Sequence, residues 1–222
     1  MARFKVPNTP SIRRMPTYLH KLMQMRDEGQ EFASTTVVAD YMNLDPIIVR
    51  KDFSLTGLTG MPGVGYKTAE LIDAVRHYLG WDRERTACLV GAGSLGNALI
   101  GHDEFAEYGL RITLVFDSDP AKIGRVVHGR EIMDVRTMRK KVKAAKPDIA
   151  VLCVPSSCAQ MVADELVKSG VKAFWNFANV SLRMPDGILV QREVIAGGFA
   201  VLSAKLLRGA GGKSGDMMAD CD

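Results

Sequence analysis

The sequence predicts an α/β protein: a helical N-terminal part, then a doubly wound parallel sheet, then one apolar C-terminal helix. Three observations predict it. First, strand-like apolar runs alternate with helical patterns from about residue 85 onward, the order that builds a parallel sheet. Second, Gly91-Ala-Gly-Ser-Leu-Gly96 lies between a strand-like run, Ala87-Cys-Leu-Val90, and a helix-like run, Asn97-Ala-Leu-Ile100. Third, the residues before that run show almost no strand signal and several helix starts and stops. At 222 residues the chain has room for one large domain or two small ones.

The N-terminal elements follow from their caps and periods. Ser11 to Asp27 is helical in pattern, with Ile12, Met15, Leu19, Leu22 and Met23 spaced to share a face. Pro16 is expected near the first turn, where a missing N–H costs little. Gly29 ends that helix. Ser34 and Thr35 are natural caps for a short helix carrying Val37, Val38, Tyr41 and Met42. After the Asn43-Leu44 connection, Asp45-Pro46 is a strong helix start, with an acid at the cap and proline at the first helical position. The helix that follows carries Ile47, Ile48, Val49, Phe53 and Leu55, with Arg50, Lys51 and Ser54 among them, and Gly57 and Gly60 close it.

A short helix, a tight turn and a second helix form the helix-turn-helix pattern. Its second helix enters the major groove, and its N-terminal polar residues reach bases and phosphates. Arg50, Lys51 and Ser54 are the candidates for that role. Gly60-Met-Pro-Gly-Val-Gly-Tyr66 reads as a tight β-hairpin, or wing, which makes Gly63 and Tyr66 further candidates. Thr68 to Leu79 is another amphipathic helix, and Gly80-Trp-Asp82 a linker. A small helical bundle serving only as a dimer or lid element is the alternative. Residues 1–26 hold Arg3, Lys5, Arg13, Arg14, Lys21 and Arg26 and no acid, which suits phosphate contact or a solvated terminus equally. The net charge of +4 does not announce nucleic acid.

The glycine run begins the second part. Gly91 makes the tight turn, Gly93 admits a pyrophosphate to the backbone, and Gly96 lets the helix pack close to the strand. The helix N-terminus, through Ala92, Ser94 and Leu95, offers free N–H groups to phosphates. The next strand, Arg111-Ile-Thr-Leu-Val-Phe116, ends in Asp117 about 20 residues after Gly96, where a ribose-binding carboxylate belongs. Such an acid favours the cofactor without a 2′-phosphate. A glycine turn that binds no nucleotide is the bland alternative.

Val135 to Ala145 then reads as a basic helix, and Pro147 to Val154 as a buried parallel strand ending in Pro155-Ser-Ser157. A helix over Ala159 to Ser169 and a strand from Val171 to Trp175 follow. Ligands of open α/β sheets bind beyond the carboxyl ends of strands, so Val154, Pro155 and Asn176 are placed near the cofactor; for Asn176 a plain turn role is equally open. Val194 to Leu207 is a strongly apolar helix with small residues Gly197, Gly198, Ala200, Ser203 and Ala204.

These residues resemble the Rex family of bacterial redox-sensing transcriptional repressors. The likeness runs through Val49-Arg-Lys-Asp-Phe-Ser54, Gly63-Val-Gly-Tyr66, the glycine run, Phe116-Asp-Ser-Asp-Pro120 with Lys122-Ile-Gly124, Val154-Pro155, Asn176-Phe-Ala178 and Ala196-Gly-Gly-Phe-Ala-Val-Leu202. It implies a winged-helix domain over 1–82, a Rossmann NAD(H)-binding domain over 83–190 and a domain-swapped dimerisation helix over 191–208; the Gly-, Ser- and Asp-containing composition of 209–222 predicts a disordered tail. It also implies a homodimer that binds a pseudo-palindromic DNA operator and is released by NADH. The chain departs from the family's pattern at Ile48, Leu55 and Thr56 in the recognition helix, at Met61-Pro62 in the wing, and at His102, Glu193 and Val194 around the partners of Arg14.

Other classes are excluded or disfavoured. No apolar run is long enough to span a membrane and no signal core precedes the first helix, so a cytoplasmic protein is expected. Cys88, Cys153, Cys158 and Cys221 have no zinc spacing, and no metal site is expected. A dehydrogenase needs an acid/base group at its substrate, but His20 and His77 fall in the helical N-terminal part, His102 ends the glycine-loop helix and His128 lies in a loop after the second strand, so no catalytic set is read. An NAD-dependent oxidoreductase, or a nucleotide-binding subunit like the CoA-binding domain of acyl-CoA synthetases, are the alternatives.

Overall fold

The computed structural model describes residues 7–211 and divides into two compact units. The basic residues Arg3 and Lys5, Cys221 and the tail from 212 onward lie outside the described residues.

The first unit takes the chain up to Thr86 together with His102–Arg111. It contains helices α1 (Thr9–Asp27), α2 (Thr35–Met42), α3 (Pro46–Ser54) and α4 (Thr68–Leu79), and the short α6 (Glu104–Glu107). Strands β1 (Phe32–Ala33) and β2 (Tyr66–Lys67) pair antiparallel. The caps are those that the side chains dictate. The Ser34 hydroxyl accepts from the Thr36 N–H, and the Asp45 carboxylate from the Ile47 N–H at 2.7 Å. Met15, Tyr18, Leu19, Leu22, Val38, Val49, Phe53, Leu71 and Val75 are fully buried and form one core. Tyr18 meets Phe53 edge-on at 5.3 Å, and Phe53 meets Tyr66 at 5.5 Å.

One expectation for this unit changes. Helix α1 starts at Thr9, so Pro16 lies two turns inside it and not near its first turn. The missing hydrogen bond is tolerated because Met15, Tyr18 and Leu19 beside it are buried. The wing is the tight hairpin its turn residues lead one to expect. One antiparallel bridge, Met61 to Gly65, closes a tight turn, and Tyr66–Lys67 continues from it to pair with β1. Gly65 has φ +109 and sits against the Ala33 carbonyl, so only glycine fits where the turn meets β1.

The second unit is built on a seven-stranded sheet. Its strands are β3 (Arg85–Val90), β4 (Leu110–Asp117), β5 (Val126–Val127), β6 (Arg130–Asp134), β7 (Ile149–Leu152), β8 (Ala173–Asn176) and β9 (Leu189–Arg192). Their order is β5-β6-β4-β3-β7-β8-β9. Leaving aside β5, which only folds back antiparallel on β6, this is the doubly wound dinucleotide-binding order. Val90 pairs with Leu152 and Leu152 with Asn176, so the carboxyl ends of the central strands lie level. Helices α5 (Ser94–Ile100), α7 (Met138–Ala145), α8 (Ser156–Lys168) and α9 (Ala196–Gly211) complete the unit.

Here too the elements shift. The expected basic helix opens with a short 3-10 turn, Val135–Thr137, and becomes α-helical only at Met138. The edge strands β5 and β9 were not anticipated. All four residues of β9 are exposed, so no burial alternation marks it in the sequence. Because β9 runs to Arg192, a boundary at 190/191 would cut a strand. Helix α9 reaches Gly211, so residues 209–211, expected as tail, are helical.

Candidate functional site

The glycine turn is built by steric demand. Gly91 has φ +101, and a Cβ there would collide with the Cys153 carbonyl; a Cβ on Gly96 would collide with the carbonyl of Gly91. A Cβ on Gly93 would meet nothing within 4 Å. Gly91 and Gly96 are therefore required by the fold, and Gly93 leaves space in front of the backbone. Helix α5 has no side-chain cap, so its first N–H groups stay available to an acceptor.

Asp117, at the end of β4, faces this turn. Its carboxylate accepts from the Ala92 N–H at 2.8 Å, the Asp119 N–H at 2.9 Å and Lys122 Nζ at 3.2 Å. Burial pushes the Asp117 carboxyl up. The bonds from Asp119, Lys122 and Ala92 outweigh that and hold it below the usual carboxylate range. It is ionised at neutral pH and also fixes the glycine turn to the strand. With Asp119 on the same rim, two carboxylates face one ammonium. That balance disfavours an added phosphate.

A cleft of about 640 Å³ opens beyond the carboxyl ends of β3, β4 and β7. Of the ten predicted cofactor residues, Gly91, Gly93, Leu95, Asp117, Val154 and Pro155 line it. Ala92 and Gly96 are buried behind it, and Ser94 is exposed outside the lining. Asn176 is a correction. It is fully buried, its amide donating to the Val180 carbonyl and accepting from the Ala178 N–H, both at 3.0 Å. It clamps a turn and does not line the cleft, whereas Phe177 beside it does. Sequence reasoning did not place Lys122, Cys153 and Met161 at the cleft; Lys122 enters it only within the Lys122-Ile-Gly124 segment of the family resemblance. Burial pushes the Cys153 thiol up to about 12, so it is no nucleophile at neutral pH. None of the four histidines lines the cleft.

In the first unit, helix α3 buries Val49, Asp52 and Phe53. Arg50, Lys51 and Ser54 are exposed, as is Gly63 at φ +74 in the wing turn. Two expected DNA contacts are engaged within the unit. Tyr66 is 8% exposed and stacked edge-on against Phe53, a core residue. Arg14 grips the buried Asp52 with two bonds, at 2.7 and 2.9 Å, and Tyr18 donates to the same carboxylate at 2.7 Å. Its guanidinium joins α1 to α3 while the side chain stays 27% exposed.

Comparison with known proteins sets these sites in context. Residues 5–54 match the family described as putative DNA-binding protein N-terminus, and residues 82–180 the CoA binding domain family. The chain is 45% identical to the redox-sensing transcriptional repressor Rex of Treponema denticola over 93% of its length and 98% of that protein. It is 35% identical to the Rex of Bacteroides thetaiotaomicron over 91% of each. Among solved structures, RSP in complex with β-NADH superposes with a TM-score of 0.83 at 28% identity, over 94% of this chain and 98% of that one. RSP in complex with β-NAD+ and operator DNA superposes with a TM-score of 0.81 at 28% identity, over 95% and 99%.

Proposed function

Since the chain belongs to the Rex family of redox-sensing transcriptional repressors, we propose that it represses transcription by binding an operator duplex, and that NADH in the Gly91–Asp117 cleft releases it. The observation that carries this reading is one chain holding both halves: a nucleotide cleft with an ionised ribose-type acid, and a capped second helix that presents Arg50, Lys51 and Ser54 to solvent.

The cofactor class follows from the cleft. Gly93 gives the pyrophosphate close approach, and Asp117 accepts ribose hydroxyls while opposing a 2′-phosphate. Leu95, Val154, Pro155, Met161 and Phe177 make the rest of the lining largely apolar. An apolar wall favours the neutral reduced ring over the cationic oxidised one, so NADH binds more tightly than NAD+. The protein works as a homodimer in the cytoplasm; among its described residues no helix is long and apolar enough to cross a membrane.

The switch is a linkage between two arrangements of the dimer. One sets both α3 helices against successive major-groove half-sites, and the other does not. NADH shifts the population by its differential affinity. A coupling of about 1–3 kcal/mol changes operator affinity roughly 5–150-fold.

Fluorescence anisotropy on a labelled operator tests the reading. NADH is expected to dissociate the complex at far lower concentration than NAD+, and CoA to have no effect. Equal potency of NADH and NAD+ would defeat it, as would release by CoA. Asp117→Ala is expected to abolish the nucleotide response and keep DNA affinity within a few-fold. Arg50→Ala is expected to weaken operator binding about tenfold, the value of one charged groove contact, with NADH affinity unchanged.

A further inference from the structure

Helix α3 presents two exposed apolar side chains, Ile47 at 56% and Ile48 at 37%, and the more exposed of them shares a side with the helix's exposed polar residues. Burial of Val49, Asp52 and Phe53 fixes which side of the helix faces the core. The opposite side is then Ile47, Arg50, Lys51 and Ser54, at spacings of three, four and seven residues. Ile47 is 56% exposed at the centre of that side, in the first turn. The Asp45 carboxylate caps its backbone N–H, so that turn is rigid. Ile47 is not among the described side chains that pack on the first unit's core.

We infer that Ile47 is a base-reading residue, packing on the 5-methyl group of a thymine in each operator half-site. The inference rests on the DNA-binding function proposed above and deepens it. The occupant is set by what surrounds the isoleucine. Arg50 and Lys51, three and four residues after it and so beside it on the helix surface, supply charge for phosphates and guanines, so the surface fits a polyanion and not an apolar protein partner. The first turn of the second helix is the part that reaches base edges. In the major groove the apolar feature is the thymine methyl, which an aliphatic side chain recognises by contact. An isoleucine there rejects cytosine at the same position by lost contact and by an unpaired amino group.

The test uses the full-length chain and an operator recovered by selection from random duplexes. Each thymine of the operator is replaced in turn by deoxyuridine, which removes the methyl group and keeps every hydrogen bond. One thymine per half-site is expected to lose about fourfold in affinity, the value of one buried methyl. Ile47→Ser is expected to lose the same factor on the normal operator and to become indifferent to deoxyuridine at that position. Ile47→Val keeps the sensitivity. Because the side chain is exposed, both variants keep the parent Tm. Tight selective binding with no sensitive thymine, or a sensitivity that survives in Ile47→Ser, overturns the inference and leaves the DNA-binding function standing. Failure to select any duplex overturns both.

Discussion

Glutamate at both Leu202 and Leu206 is expected to turn the dimer into a folded monomer and to cost operator affinity two to four orders of magnitude. Phe199, Leu202 and Leu206 fall at spacings of three and four along α9, and each is more than half exposed. Val201 and Leu207, on other sides of the helix, are exposed as well. A helix that is apolar all round belongs in an interior, and the described residues of one chain do not supply that interior. Gly197, Gly198 and Ala200 would let a neighbouring helix approach closely. Two carboxylates buried in such an interface have no partner there, which disfavours assembly by several kcal/mol. Operator affinity follows because two linked reading helices bind the second half-site at high effective concentration, a gain of about 10²–10⁴ that a monomer forfeits. Sedimentation velocity reads the oligomer, anisotropy the affinity. An L202E/L206E chain that remains dimeric and binds normally would remove α9 from the interface.

The second large effect is on stability. Asp52→Ala is expected to destabilise the first unit by about 3 kcal/mol, somewhat less than a fully buried pair because Arg14 retains access to water. For a unit of this size that lowers Tm by at least roughly 10 °C. Tyr18→Phe removes one hydrogen bond and leaves the ion pair, so it costs about 1 kcal/mol. The pH dependence has a definite sign. Burial pushes the Asp52 carboxyl up, but the bonds from Arg14 and Tyr18 bring it below its ordinary value. Its contribution is therefore present above about pH 4, the unfolded value, and is lost as pH falls through the lower folded one. Tyr18 is pushed up to about 12 by burial and by Asp52. Its contribution is complete below about pH 10 and lost between there and 12. Thermal melts of wild type and Asp52→Ala should differ most between these limits and converge in acid. A constant difference down to pH 2 would show that the carboxylate is not what holds α1 to α3.

That network also explains why the pairing of Arg14 was not legible in sequence. A basic residue in a basic stretch reads as a phosphate contact. Its partner lies 38 residues away, on the buried side of α3, and no local period connects them. Tyr66 follows the same logic, since its ring is claimed by Phe53 from another element. Asn176 is claimed by a turn four residues on, which the sequence left open as an alternative.

What the chain determined by itself is everything governed by short-range sterics and capping. The caps at Ser34 and Asp45 and the close approach at Gly96 are each fixed within a few residues of backbone, and the run of alternating strands and helices that delivers Asp117 is legible in local pattern, although the carbonyl that excludes a side chain at Gly91 is that of the distant Cys153. The tertiary structure alone decided which polar side chains face inward and which apolar ones face outward. Asp52 is buried because Arg14 and Tyr18 reach it there. Ile47 is left outside because Val49 and Phe53 on the same helix took the core. The physical reason is that the direction of a side chain depends on packing between elements far apart in the chain, and the free energy of that packing is set only when they meet.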